Sequence, residues 1–122
     1  MTLRVGAHSA RHIRRIVRAH LMRWEMAELA DAAELAVTEL VANVVKHVPD
    51  RRCTIVILRQ REQDGVRVEV SDSSLVLPKP CEPEEFAETG RGLGLVALVS
   101  NAWDAEPLPD GLGKAVWFEL KR

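Results

Sequence analysis

Glu39, Asn43 and His47 recur at every fourth position of the run Ala36-Val37-Thr38-Glu39-Leu40-Val41-Ala42-Asn43-Val44-Val45-Lys46-His47. On a helix that spacing places the three on one face, as a polar stripe. Ala36, Leu40 and Val44 lie beside the stripe, and Val37, Val41 and Val45 continue round the apolar side. The stripe therefore runs along the edge of the buried face. A carboxylate there can orient a water or a hydroxyl, and a carboxamide oxygen can ligate a hard cation such as Mg²⁺. The same pattern also describes an amphipathic helix with ordinary polar residues on its rim.

Two further features carry chemistry. Gly90, Gly92 and Gly94 alternate in Thr89-Gly90-Arg91-Gly92-Leu93-Gly94-Leu95-Val96 and open an apolar helix. Glycines let the backbone come close to a ligand, and the free N–H groups and dipole of a helix start favour phosphate. The run is neither a dinucleotide fingerprint, whose third glycine falls one residue later, nor a P-loop, since no Gly-Lys-Ser/Thr follows. By itself it also fits a hinge before a helix. Asp72, where a strand gives way to a long loop, can accept a hydrogen bond from an exocyclic amine or can close an Asx-type turn.

The elements that must position these residues follow from periodicity. Residues 3–6 read as a short strand. Ser9 is the expected N-cap of a helix to about Trp24, with Ile13, Ile16, Val17, His20, Leu21 and Trp24 at helical spacing. A second helix is expected from about Leu29 to Val48, ended by Pro49-Asp50. The β-branched run 54–59, the turn Gln63-Asp64-Gly65 and the alternating run 66–71 predict a hairpin. Residues 73–89, with three prolines and four glutamates, read as an irregular loop with one helical turn near 84–88. Its length exceeds ordinary connections, as functional loops often do. A helix over about 92–101, a strand over 102–108, a turn at 109–113 and a strand over 114–120 complete the order. The prediction is an α/β (α+β) two-layer sandwich, a mostly antiparallel mixed sheet with helices on one face, in a single domain spanning 1–122.

Composition narrows the function classes. Hydrophobic residues are 47% and charged residues 29% of the 122, and the formal net charge is −1, which suits a water-soluble globular domain rather than a disordered chain or a general polyanion binder. No direct nucleic-acid partner is expected, and the basic cluster Arg11, Arg14, Arg15 and Arg18 reads as a solvated helix face. No apolar run approaches the roughly 20 residues of a membrane span, and no leader pattern opens the sequence, so a cytoplasmic protein is expected. Cys53 and Cys81 lack metal-site spacing and are not expected to pair. His8, His12 and His20 fall on the first helix, where solvated histidines are a commoner explanation than a metal site.

In this order, the three features resemble the GHKL (Bergerat-fold) ATPase superfamily, and among its shorter members the anti-sigma factor serine/threonine kinases and related actinobacterial regulators. Glu39-Leu40-Val41-Ala42-Asn43-Val44-Val45-Lys46-His47 is similar to the family's N box, Gly90–Leu95 to its second glycine box, and Gly113–Leu120 to its closing strand. The resemblance implies ATP and Mg²⁺ as cofactors. Glu39 would be the general base, Asn43 the Mg²⁺ ligand, and Asp72 the acceptor of the adenine amino group. Arg91, Gly92, Leu93 and Gly94 would wrap the phosphates. It also implies a sigma factor or a STAS-type anti-anti-sigma protein as partner, and a homodimer for which the amphipathic first helix offers a face. The alternative is a non-catalytic partner-switching module. The catalytic domain of a histidine kinase shares such a pocket but is not expected, since no phospho-accepting helical segment precedes the domain. The sequence departs from the family in one place: Asp72-Ser73-Ser74-Leu75-Val76 replaces Asp-x-Gly-x-Gly, so Ser74 and Val76 are expected to reshape the base end of the pocket.

Overall fold

A computed structural model describes residues 1–6, 8–74 and 91–122. The elements are β1 (Thr2–Arg4), α1 (Ser9–Arg23), a 3₁₀ turn (Ala27–Leu29), α2 (Ala30–His47), β2 (Arg52–Gln60), β3 (Gly65–Asp72), α3 (Arg91–Val99), β4 (Ala102–Pro107) and β5 (Lys114–Lys121). The strands form one sheet in the order β1-β2-β3-β5-β4. Among the described residues every pairing is antiparallel, in keeping with the mostly antiparallel sheet and helices on one face that the sequence predicts. The expected loop from residue 75 onward, including the turn at 84–88, Val76 and Cys81, lies outside the described residues, as does Gly90 of the glycine run.

Alternation sets the sheet's two faces. Val66, Val68 and Val70 of β3 and Val116, Phe118 and Leu120 of β5 are buried, and register pairs Val66 with Leu120, Val68 with Phe118 and Val70 with Val116. The other face carries Arg67, which donates to Glu69 and Glu119 at 2.7 and 3.2 Å and lies 4.0 Å from the centre of a Trp117 ring. The two carboxylates offset the cost of partly burying the Arg67 guanidinium and raise its pKa.

The helices cover the apolar face. Ile13, Val17 and Leu21, one turn apart on α1, are fully buried. The apolar face of α1, the surface sequence suggests for a homodimer, is thus taken up by the core of the same chain. Arg18 bridges α1 to Asp31 and Glu34 of α2, and Arg14 donates to Thr38 Oγ1 at 3.2 Å. Ser9 is the first residue of α1 rather than its N-cap. Its Oγ accepts the Gly6 N–H at 2.9 Å, which ties the helix start to the segment before it. Beyond α1 the chain turns through Glu25, with φ of 58°, and the buried Met26. At the other end of α2, Val48 is extended and Pro49 cannot continue the helix.

Candidate functional site

The stripe on α2 sits where periodicity puts it. Ala33, Ala36, Val37, Leu40, Val41 and Val44 are buried, Glu39 and Asn43 are half-buried, and His47 is exposed in the last turn. Thr38 shows what an internally used polar residue looks like on this helix: its hydroxyl donates to the Glu34 carbonyl at 2.6 Å while accepting from Arg14. Among the described residues, the Glu39 and Asn43 side chains make no hydrogen bond. Polar groups kept half out of water without an internal partner stay open to a ligand. His47 lies apart from that use and lines, with Lys46, Val48 and Arg51, a shallow depression at the end of α2.

α3 packs on α2. Its first turn holds Arg91, Gly92, Leu93 and Gly94, so the helix start expected from the glycine run is present. Leu93 and Val96 are buried and fasten α3 to the core. Leu93 therefore offers a ligand only its backbone, whereas Gly94 is half-exposed. A start of this kind presents unpaired N–H groups and a partial positive charge to an anion.

Asp72 ends β3, as expected, and its surroundings are the main finding. Residues 66, 68, 70 and 72 share the face covered by the helices, and on β5 so do 114, 116, 118 and 120. Asp72 and Lys114 are direct cross-strand partners on that face. Lys114 Nζ donates to Asp72 Oδ1 at 2.8 Å and to Oδ2 at 2.9 Å, and the Ser74 N–H donates to Oδ1 at 2.9 Å. Side-chain exposure is 3% for Asp72 and 9% for Lys114, so this is a buried ion pair. The Asx-type turn and the ligand-facing carboxylate, two readings of Asp72 from sequence, converge on one residue whose oxygens are already engaged.

Two neighbours complete this end of the site. Gly113 precedes Lys114, and a Cβ there would collide with the Asp72 carbonyl oxygen, so only glycine lets β5 approach β3 this closely. Cys53 of β2 pairs with Asp72 from the other side and is buried and free. Burial, with the Asp72 charge as a lesser cause, raises its thiol pKa to about 11. Sequence reading passed over Lys114. The signal was its place two residues before Val116 in an alternating strand, which puts a charge on the inward face.

The metal idea for the first helix finds no support in geometry. His20 Nδ1 lies 2.9 Å from the Ile16 carbonyl and its ring packs edge-on to Trp24, with centroids 5.4 Å apart. Among the described residues no group of three His, Cys, Asp or Glu side chains could hold a metal ion.

The family model of the histidine kinase-like ATPase domain matches residues 5–119, nearly the whole sequence, from before α1 to within β5. The chain belongs to this family. Histidine kinase-like ATPase domains of the GHKL superfamily bind ATP, usually with Mg²⁺, and the α+β sheet-and-helix arrangement is theirs. A search of the curated proteins returns no match. Among the described residues, no helix of this histidine kinase-like ATPase domain is long and apolar enough to cross a membrane. The residues expected to meet Mg-ATP differ in their surroundings: Glu39 and Asn43 make no side-chain hydrogen bond among the described residues, whereas Asp72 is held by Lys114.

Proposed function

We propose that this domain is an ATP-binding regulatory protein of the anti-sigma type, a serine/threonine protein kinase whose substrate is a STAS-type anti-anti-sigma partner and whose setting is transcription regulation in the cytoplasm. One observation carries the reading. Glu39 and Asn43 stand one turn apart on α2, half-buried and without side-chain hydrogen bonds among the described residues, next to the helix whose start holds Gly92 and Gly94. In that role Glu39 takes the proton of the substrate serine hydroxyl. Asn43 would hold Mg²⁺ through its carboxamide oxygen, and the N–H groups of Gly92, Leu93 and Gly94 would hold the phosphates. Mg-ATP, when bound, supplies the phosphoryl group. Such transfer depends mostly on positioning and charge neutralisation, which a few open groups on rigid helices can provide.

A second reading has its own support. The Lys114–Asp72 pair occupies the base acceptor, which favours a partner-switching module of the same fold with weak nucleotide affinity. Two measurements decide between them: calorimetry with Mg-ATP, and phosphate transfer to serine on a STAS protein co-purified from the native host. The kinase reading expects binding in wild type and Glu39→Ala alike, and transfer only in wild type. Transfer by Glu39→Ala at the wild-type rate would remove Glu39 from the mechanism, and absence of any binding would leave the module.

A further inference from the structure

The buried pair at the end of β3 and β5 does more than fill the sheet. Asp72 Oδ1 accepts two hydrogen bonds, from Ser74 N–H and Lys114 Nζ, and Oδ2 accepts a third from the same ammonium. A carboxylate offers about four acceptor positions in all. What remains for an incoming amine is one lone pair on Oδ2, next to a positive charge that has already drawn on the carboxylate. The cation is also fixed in place. Lys114 is a register partner of Asp72, its neighbour Gly113 lies against the Asp72 backbone, and its side chain is 9% exposed, so it has little freedom to swing into solvent.

We infer that Lys114 is a specificity-determining residue at the base end of the nucleotide site, where its ammonium competes with the 6-amino group of adenine for Asp72 and so removes most of the preference for adenine nucleotides. The inference rests on the reading of this chain as a nucleotide-binding domain. It adds that the site recognises the triphosphate and metal more than the base. At position 6 a carbonyl is no worse placed than an amine, because it can accept from the ammonium, whereas the amine finds only the one lone pair left on Oδ2. A purely structural ion pair would leave the choice of base unaffected.

Inosine triphosphate carries a carbonyl where ATP carries the amine, and an N–H at position 1 where ATP has an acceptor, so the change in affinity ratio between proteins, not the ratio in one of them, reads the contribution of Lys114. Dissociation constants of ATP and inosine triphosphate, each with Mg²⁺, are measured by calorimetry on wild type, Lys114→Met and Lys114→Arg, with far-ultraviolet circular dichroism to establish folding. Wild type is expected to bind the two nucleotides within about threefold of each other. Lys114→Met should shift the affinity ratio toward ATP by about tenfold or more, the usual value of a hydrogen bond to a charged acceptor. Lys114→Arg keeps the cation and should keep the wild-type ratio. A smaller shift in Lys114→Met overturns the inference while nucleotide binding stands. Should Lys114→Met fail to fold, Lys114→Leu, likewise uncharged and apolar, takes its place under the same criterion, and purine riboside triphosphate, which keeps the N1 acceptor and lacks only the amine, gives the wild-type value: a loss beyond about threefold relative to ATP overturns the inference. Absence of binding by all three proteins, wild type included, overturns both this inference and the nucleotide reading beneath it.

Discussion

Breaking the Lys114–Asp72 pair from either side should cost far more than removing it whole. At 2.8 Å and an effective dielectric constant near 20, the attraction is about 6 kcal/mol. Against this stands a desolvation penalty of several kcal/mol for each ion, so the pair contributes little net stability relative to apolar side chains of similar size. Lys114→Met leaves a buried carboxylate with only the Ser74 N–H, and Asp72→Asn leaves a buried ammonium with no counter-charge. Each single variant should lose about 3–5 kcal/mol. The double variant should lose much less than the sum of the two, with a coupling of about 2 kcal/mol or more. Urea unfolding without nucleotide, followed by circular dichroism, reads this directly. With a slope of about 1–3 kcal/mol per molar for a domain of this size, each single change moves the midpoint down by at least about 1 M. Single-variant losses below about 1 kcal/mol, the range of exposed pairs, would refute the claim that the ions are sequestered.

Two other tests address the same corner of the fold. Gly113→Ala forces a methyl group into the Asp72 carbonyl and should destabilise by about 1–3 kcal/mol, measurable as a lower thermal midpoint; an unchanged midpoint would mean that β5 does not approach β3 so closely. The Cys53 thiol, raised from an ordinary 9.0 to about 11, keeps its proton in the folded state over a range where the unfolded chain has lost it. The unfolded state binds fewer protons there, so stability is full below about pH 9 and falls, by on the order of 2 kcal/mol, as the pH rises to about 11. Cys53→Ser should flatten that part of the pH–stability curve, and a slope equal to that of wild type would assign the alkaline loss to other groups.

Much of this was legible in the sequence because it is written in short-range periods. The 3.6-residue rhythm of Ala33, Ala36, Val37, Leu40 and Val44 fixed the buried side of α2, and with it the rim position of Glu39 and Asn43. The period of two in Val66, Val68 and Val70 fixed the inward face of β3, which carries Asp72. Ser9 misled because capping propensity favours serine at the cap position, while here its hydroxyl serves the Gly6 N–H instead. The strand order was not legible, because which strands become neighbours is set by tertiary connections that no local pattern records. Lys114 escaped for a related reason: its partner is 42 residues away, and only the β3–β5 register brings the two together.

That register has a consequence for how the chain reaches its native state. β5 is the last strand along the sequence, yet it lies inside the sheet, between β3 and β4. Until it inserts, β3 has one hydrogen-bonding edge bare and Val66, Val68 and Val70 along it, an open template for another copy of the chain. A buried lysine that can settle only opposite Asp72 disfavours a register slipped by one residue, which would turn its charge to the other face and bring Trp117 and Glu119 inward. The same buried ion pair thus favours the correct register when β5 enters the sheet.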